Sequence, residues 1–513
     1  MKKVLLTAIA LWFAGGLMAQ QVGFRMGDKI NMKAINPEWV HLAGGVQEGE
    51  VLAVEPVRKA VTAALVNPLN VSETIAANPV KAVKVRLCDM EWRDKASVTL
   101  ADTKGAGIAE VFRSRSRLHA LLRFEAKKRL ALRHVLLDAQ SLAIVQDEML
   151  LDRSLQKGEE GQVWVAGSPD GRYHGVVYAV QRKKEAPVAV ARMYDSTMAF
   201  LWERELAYGD VRNVIVSDSG TITTAILGTI KGEKDVTAFR LNQASADGEK
   251  HGEYVLNASV SNLALLNSDG GRILAVALEE KGGKSGIGAG ARGKSLYTGI
   301  WGLVFDLDGD EIAVGNRHPF TDDDLRLLAN AESDWVPDSR EADFVRLTAH
   351  CTTPQGGAAL FQRMWMTTVV TVRGGTMRSE TVNLMGMLVV QADMQGRLTV
   401  SRLPQCNSRS EWPPVVADVF PYGGKVYVLT NESELETGDY HPDRPALPSR
   451  HLLKHNAALS LHWFTPDGQG GKQMLETGRS TLLGSPAYAA GGGRFLFLTQ
   501  SAGSYLANIS IPQ

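Results

Sequence analysis

Residues 288–295, Gly288-Ala289-Gly290-Ala291-Arg292-Gly293-Lys294-Ser295, fit the phosphate-loop pattern G-x-x-x-x-G-K-S letter for letter. Such a loop holds phosphate because a strand feeds backbone N–H groups into a turn and a following helix points its positive end at the anion. Here Ser295 is followed by LYTGIWGLVFDL, a strand-like run, so the helix is missing and the segment reads as a Gly-rich connection. Asp306, Asp308, Asp310 and Glu311 resemble the start of a calcium loop. An EF-hand needs Gly at its sixth position and an acid at its twelfth, and these places hold Glu311 and Arg317. A hairpin turn with Asp308-Gly309 at its tip is the reading that remains. His451 and His455 stand four apart, with His441 and Asp443 nearby. The zinc-protease pattern places Glu directly after the first His, but Leu452 is there, and Pro442, Pro445 and Pro448 favour a polar loop over a helix.

Other chemistries also lack their residues. No G-x-S-x-G is present, so the nucleophile elbow of a hydrolase domain is missing. A glycosidase needs two facing carboxylates, and 56 acidic residues cannot be paired by sequence alone. Cys88, Cys351 and Cys406 are the only cysteines, and none forms a C-x-x-C pair, so zinc and thiol redox chemistry have no support. At most one bridge can form. Three small buried apolar side chains is the favoured reading; the alternative is a bridge of Cys351 with Cys406, the pair that shares a candidate repeat. No catalytic, cofactor-binding or metal-ligating residue is therefore nominated, and no cofactor is expected.

The 513 residues carry 56 Lys plus Arg against 56 Asp plus Glu, a formal net charge of zero. A nucleic-acid binder needs a basic excess, and none exists over the whole chain. With 44% hydrophobic and 22% charged residues the composition is that of an ordinary globular protein, which excludes collagen, coiled coil and wholesale disorder. Lys2 and Lys3 precede an uncharged run from Val4 to Leu17, broken by Gly15 and Gly16 and ending at Ala19. That is the layout of a secretory signal peptide over residues 1–19, and it points to the periplasm, the cell surface or the exterior. No later run is long and apolar enough for a membrane-spanning helix.

The elements that would position any site come from a recurring phrase. A polar turn, usually holding Gly, leads into an apolar β-rich run in SPDGRYHGVVYAV (Ser168 to Val180), SDSGTITTAILGTI (Ser217 to Ile230) and NSDGGRILAVAL (Asn267 to Leu278). It returns in YGGKVYVLT (Tyr422 to Thr430) and GGGRFLFLT (Gly491 to Thr499), and more weakly in RSRLHALLRFEA (Arg115 to Ala126). A second phrase follows several of these: a strand, an Asp-centred turn, then a more polar strand. Examples are ARMYDSTMAFLWEREL (Ala191 to Leu206), GLVFDLDGDEIAVG (Gly302 to Gly315), LVVQADMQGRLTVSRL (Leu388 to Leu403) and LHWFTPDGQGGKQML (Leu461 to Leu475). Repeats of roughly fifty residues with about four strands each are the pattern of propeller blades. The expected fold is all-β: a β-propeller of about six or seven four-stranded blades over residues 111–513.

Residues 20–110 form a separate N-terminal region in this reading. EVLAVEP (Glu50 to Pro56) is expected to supply the missing outer strand of the last blade and so close the ring. Glu55 to Val66 also shows helical apolar spacing, which competes for the same residues. Thr321 is an expected helix N-cap, with acids in the first turn after it. Three segments read as rim loops: residues 281–294, 331–341 and 431–450. They are where a partner would be sought, because binding concentrates on loops over a rigid scaffold.

The pieces SPDGRYHGVVYAV, MYDSTMAFLWEREL, VSDSGTITTAILG and HPFTDDDL, in this order, resemble a group of secreted propeller-like proteins of Gram-negative bacteria. The resemblance runs over roughly residues 115–513, is most specific from Asp195 to Leu206, and implies a fold without implying an activity. Two functions from different classes follow from these readings. One is a non-enzymatic binding or scaffold propeller that engages envelope or secreted proteins. The other is a hydrolase acting on glycans or peptides at the central channel, which would need acids or histidines converging from several blades.

Overall fold

Strands that are apolar at every residue need neighbours against both faces of their sheet. In the computed structural model that need is met by eight antiparallel sheets set radially in a ring, each a blade. The structure describes residues 22–30, 39–58, 80–126, 128–182, 185–230, 233, 235–280, 297–309, 311–321, 323–324, 342–372, 376–403, 408–410, 417–433, 457–475, 481–500 and 504–512. The expected signal sequence of residues 1–19, the phosphate-loop match at 288–295, and His441, Asp443, His451 and His455 lie outside them.

Seven blades are meanders of consecutive strands. Blade 1 runs from His41 to Leu100, blade 2 from Gly107 to Ser154, blade 3 from Glu159 to Leu206 and blade 4 from Asn213 to Leu256. Blade 5 runs from Val260 to Pro319, blade 6 from Ala342 to Leu403 with the short strand Ser408–Ser410 added, and blade 7 from Ala417 to Leu475. Blade 8 joins the two ends of the chain. Strands Leu482–Leu483 and Tyr488–Gly491 pair with Arg494–Gln500, which pairs with Ser504–Ser510, and Gly23–Ile30 adds as its outer strand, opposing Gly23 to Ser510 and Ile30 to Ser504. Closure in this way removes an exposed edge and ties the ring shut. First strands of neighbouring blades pack on one another around the ring, which puts them nearest the axis.

The expected count of six or seven blades is thus corrected to eight; the blade not counted lies in the N-terminal region. EVLAVEP does not close the ring, and no helix begins at Glu55. Glu50–Arg58 is the second strand of blade 1, between His41–Gly44 and Val80–Asp89. The reason is burial: Val51, Leu52, Ala53 and Val54 are all at 0% exposure, which only an inner strand with blades on both sides provides. Outer strands instead alternate, as Ile312–Pro319 does between half-buried and exposed positions.

The two recurring phrases match the two kinds of turn. The glycine-bearing turns join the first and second strands. In blades 3 and 4, Gly171 and Gly220 take φ of +70° and +75°, a region costly for residues with a Cβ. The Asp-centred turns join the third and fourth strands. Asp195 Oδ1 accepts the N–H groups of Thr197 and Ala199, and Asp393 Oδ1 those of Gln395 and Arg397. The calcium-loop look-alike is such a turn, with the Leu307 and Gly309 N–H groups bonded back to Gly271 and Asp306.

The core lies in the seams between blades. Between blades 4 and 5, Phe239 and Tyr254 each lie 5.1 Å from the ring of Phe305, all essentially buried. Each such ring contributes on the order of 2–3 kcal/mol by leaving water. Cys88 and Cys351 are buried free thiols, and Cys406 lies outside the described residues. Among the described residues no helix is long and apolar enough to cross a membrane.

Candidate functional site

Polar inlays interrupt the apolar seams: buried Thr223 and Gln243 of blade 4 donate to Ser268 of blade 5. Among the described residues three others are built on titratable side chains at blades 6 to 1, 2 to 3 and 3 to 4, none of them nominated by sequence reasoning. The first lies on the first strands of blades 6, 7, 8 and 1. Asp418, second in its strand Ala417–Tyr422, accepts the Val419 N–H at 2.9 Å on Oδ1 and the Ala487 N–H of blade 8 at 2.8 Å on Oδ2. Among the described residues no cation pairs with it. Burial pushes its carboxyl up to about 6, with the two N–H bonds opposing. Next to Ala487 stands Tyr488, whose hydroxyl donates to the Val40 carbonyl at 3.1 Å. Its ring lies 5.9 Å from that of His41, the first residue of its strand in blade 1. Burial lowers His41 to about 4, assisted by the charge of Arg123. Tyr488 is pushed up by burial and then by the charge of Asp418. Cys351, on the first strand of blade 6, is raised to about 12 by burial, so its thiol stays protonated and unreactive. At neutral pH this arc therefore presents one carboxylate and neutral hydrogen-bonding groups, without an activated nucleophile. Asp418, Tyr488 and His41 are half-buried, so small polar groups can reach them.

The second inlay crosses the seam between blades 2 and 3. His119 Nδ1 meets His134 Nε2 at 3.1 Å, and His134 Nδ1 meets Glu148 Oε1 at 3.3 Å. Phe112 stacks between His119 at 4.5 Å and His174 of blade 3 at 3.7 Å, centroid to centroid. His174 Nδ1 in turn meets Glu110 Oε2 at 3.3 Å. Two carboxylates fix the tautomers, because a carboxylate only accepts. His134 and His174 thus carry their protons on Nδ1, and His119 Nδ1–H donates to His134 Nε2. The three histidines are 1–3% exposed, which denies them to any ligand.

The third inlay joins the first turns of blades 3 and 4. The Asp170 N–H donates to Asp218 Oδ1 at 3.0 Å, and the Arg172 guanidinium bonds to Asp170 Oδ2 and, at 2.9 Å, to the Asp218 carbonyl. The two carboxyl groups also share a hydrogen bond. Burial raises Asp218, with the Asp170 charge adding; on Asp170 burial is outweighed by bonds from the Arg172 N–H, Ser168 and the Arg172 side chain. Carboxyl groups in direct contact are closer than the ~5 Å or more that glycoside hydrolysis uses. Among the described residues no group of three His, Cys, Asp or Glu side chains could hold a metal ion.

The expected N-cap at Thr321 is present. Thr321 Oγ1 accepts the Asp324 N–H at 3.2 Å, and Asp324 Oδ2 accepts the Thr321 N–H at 2.9 Å, a reciprocal cap. Arg402 of blade 6 donates to Asp324 Oδ1 at 2.7 Å and to Thr321 Oγ1 at 2.9 Å, fastening the exit of blade 5 to its neighbour.

The rim segments have a clear placement through the strands that flank them. Residues 281–294 fall between the second and third strands of blade 5, Arg272–Glu280 and Tyr297–Asp306. Residues 331–341 fall between the last strand of blade 5, which ends at Pro319, and the first of blade 6, which starts at Ala342. Residues 431–450 begin in the strand Lys425–Ser433 of blade 7 and lead towards Ala457–Phe464. In antiparallel blades the second-to-third and blade-to-blade connections share one end of the ring. The strands Gly356–Val372 and Thr376–Asp393 of blade 6 also continue their pairing towards that end, past Ala342↔Met366 to Val372↔Thr376. At the opposite end the connections are short, such as Gly270-Gly271 and Gly423-Gly424. Apart from the strand residues up to Ser433, the three segments themselves lie outside the described residues.

This arrangement defines the class: an eight-bladed β-propeller closed by its N-terminal strand. No protein-family model and no curated protein matches the chain. Solved structures similar to it in fold include the Dos1 propeller, at 8% identity over 95% of this chain and 96% of that one, with a TM-score of 0.42. Another is the propeller domain of the Trilobed protease from Pyrococcus furiosus, at 12% identity over 85% and 98%, with a TM-score of 0.36. The WD40 domain of SCAP from fission yeast has 8% identity over 95% and 98%, with a TM-score of 0.36.

Proposed function

We propose that this chain is an exported, non-enzymatic propeller that binds an envelope or secreted protein through one sector of one end of its ring, at blades 5 to 7. The observation that carries this reading is the one-sided placement of the long connections. The flanks of 281–294, 331–341 and 431–450 open on the same end of three successive blades, and the extended hairpin of blade 6 points the same way. A rigid ring with its insertions gathered at one end is built to present them together, and the stretch between Arg58 and Val80 of blade 1 opens on that end too. The arc of Asp418, Tyr488 and His41 offers binding groups without a nucleophile, which also favours recognition over catalysis. Export rests on the charged start, apolar centre and small residue of residues 1–19.

The test is affinity capture of the tagged, exported protein from gently cross-linked envelopes, read by mass spectrometry. Recovery of one or a few envelope proteins in a stable ratio is expected. Replacing 283–294 and 436–452 by short Gly-Ser linkers should abolish it, whereas substitutions in the Gly423-Gly424 turn at the other end should not. Bait alone, or recovery indifferent to both replacements, overturns the reading and directs attention to glycan and peptide substrates.

A further inference from the structure

Two strands of blade 6 run on past the body of the blade. Ala342–Thr353 pairs with Gly356–Val372 only as far as Ala342↔Met366. Beyond that point Thr367 to Val372 pair with Thr376 to Thr381 and, among the described residues, with no third strand. Six residues of strand make an arm about 20 Å long. A two-stranded ribbon is marginal in water by itself, and a third or fourth strand is what makes it hold. Its first strand, Thr367-Thr368-Val369-Val370-Thr371-Val372, is wholly β-branched, without charge, Pro or Gly, which is the composition of a segment that recruits further strands. Its second strand has a bounded edge. Val382, Asn383 and Leu384 pair with Ser410, Arg409 and Ser408, so the free stretch of that edge is Thr376 to Thr381. This stretch carries two charges of opposite sign, Arg378 and Glu380. Within the arm the register sets Arg378 against Val370 and Glu380 against Thr368, neither of them charged.

We propose that the arm of blade 6 joins two copies of this chain edge to edge, by antiparallel pairing of Met377–Thr381 about a two-fold axis at Ser379. Such an axis sets Ser379 opposite its own copy, Met377 opposite Thr381, and Arg378 opposite Glu380 of the second copy, with Glu380 opposite Arg378 in return. One symmetry operation therefore answers both charges of both arms, and opposite charges directly across a strand pair are attractive. The charges also select the register. An axis at Arg378 or at Glu380 opposes like charges, and an axis between residues leaves both charges opposite uncharged neighbours. The five paired residues fit inside the free stretch, between the tip at Arg373-Gly374-Gly375 and the edge that Ser408–Ser410 occupies. The product is a four-stranded ribbon, which gives each arm the neighbour that it lacks alone. A two-fold contact of this kind uses the same edge on both copies, so the association closes at a dimer. The pairing does not depend on the protein partner proposed above; it presents two sets of the insertions to it.

Size-exclusion chromatography with light scattering, run on the purified chain over a dilution series, tests the pairing. The native chain should elute with the mass of two chains. Arg378→Glu leaves two acids in each arm and Glu380→Arg two bases, so either substitution alone should weaken the dimer by about tenfold or more. Mixed in equal amounts, the two single variants should pair with each other, because the acids of one arm then face the bases of the other. The double substitution Arg378→Glu, Glu380→Arg restores the complementarity and should dimerise like the native chain. Recovery in the mixture also separates lost pairing from lost fold, since a misfolded chain is not rescued by mixing. A monomeric native chain, single variants that dimerise as the native chain does, or a mixture that stays monomeric would each overturn the proposal. Capture of envelope proteins by a monomeric variant would leave the partner reading standing, so the two proposals fail separately.

Discussion

Two buried polar regions in one ring obey opposite rules. In the seam between blades 2 and 3 each histidine-bonded carboxylate has its own histidine, the bonds cross strands, and the three histidines are shut away from water while Glu110 and Glu148 keep an edge in it. In the arc around Asp418 a carboxylate is held by two backbone N–H groups, with half-buried neighbours and no cation among the described residues. A network in which side chains answer one another's hydrogen bonds specifies a structure, whereas an uncompensated charge is the kind of group kept for contact with something else. The first region ties the strands of blade 2 together and meets blade 3 through His174; the second is the better place for a bound molecule.

The largest effect that separates them is loss of the central rung of the His119–His134–Glu148 ladder. His134→Leu leaves the His119 N–H without its acceptor and takes the histidine from Glu148, at a cost of about 2–3 kcal/mol. Urea unfolding read by far-ultraviolet circular dichroism measures this. A cost below about 0.5 kcal/mol would show that the ladder is not a structural joint of blade 2.

Next is the response to pH, where His119 and Asp418 have opposite signs. His119 has a folded value near 3 against an ordinary 6.5, so below 6.5 the unfolded chain binds the extra proton. Its contribution is complete above pH 6.5 and is lost towards pH 3, at up to about 1.4 kcal/mol per unit. Asp418 is raised from 3.8 to about 6, so its folded form takes the proton first. Its contribution is complete below pH 3.8 and is lost as pH rises through 6. Stability between pH 6 and 4 should fall with acid in the native chain, because His119, His134 and His41 outnumber Asp418. The slope should flatten in His119→Gln and steepen in Asp418→Asn. Unfolding curves at several pH values check both, and an identical slope in all three chains would erase the distinction between the regions.

Most of the ring was legible because its turns announce themselves. The SPDGR, SDSG and NSDGG phrases carry residues that tight turns demand, and the runs after them are apolar on both faces as second strands must be. Blade 1 lacks that phrase: its first turn is Val46-Gln47-Glu48-Gly49, and Val80–Asp89 carries Lys81, Lys84 and Arg86 among its apolar residues. The closing strand GFRMGDKI has no apolar run, because an outer strand faces water on one side. EVLAVEP was misassigned for the converse reason: a short apolar run fits an inner strand, an edge or a helix until its neighbours are known. The polar inlays were illegible for a different reason. His119, His134 and Glu148 lie on three strands and His174 on another blade, so only register and the angle between blades bring them together. A lone histidine inside RSRLHALLRFEA carries no mark of that. Thr321, by contrast, was readable because a cap and its partner lie within one turn.

The smallest effect tests whether the Asp418 arc is a loose surface or a second joint. Tyr488→Phe keeps the ring against His41 and removes the hydroxyl that donates to the Val40 carbonyl. A typical hydrogen bond contributes about 1 kcal/mol net, and this one lies where water can replace it, so the loss should be below about 1 kcal/mol. The substitution also removes no charge, so Asp418 should keep its raised value. Titration of the Asp418 carboxyl by carbon-detected nuclear magnetic resonance in both chains reads this directly, alongside urea unfolding. A loss comparable to that of His134→Leu would mean that Tyr488 locks blade 8 to blade 1 as firmly as the ladder ties the strands of blade 2. The arc would then be a structural seam, and the search for a bound molecule would move to the insertions of blades 5 to 7 alone.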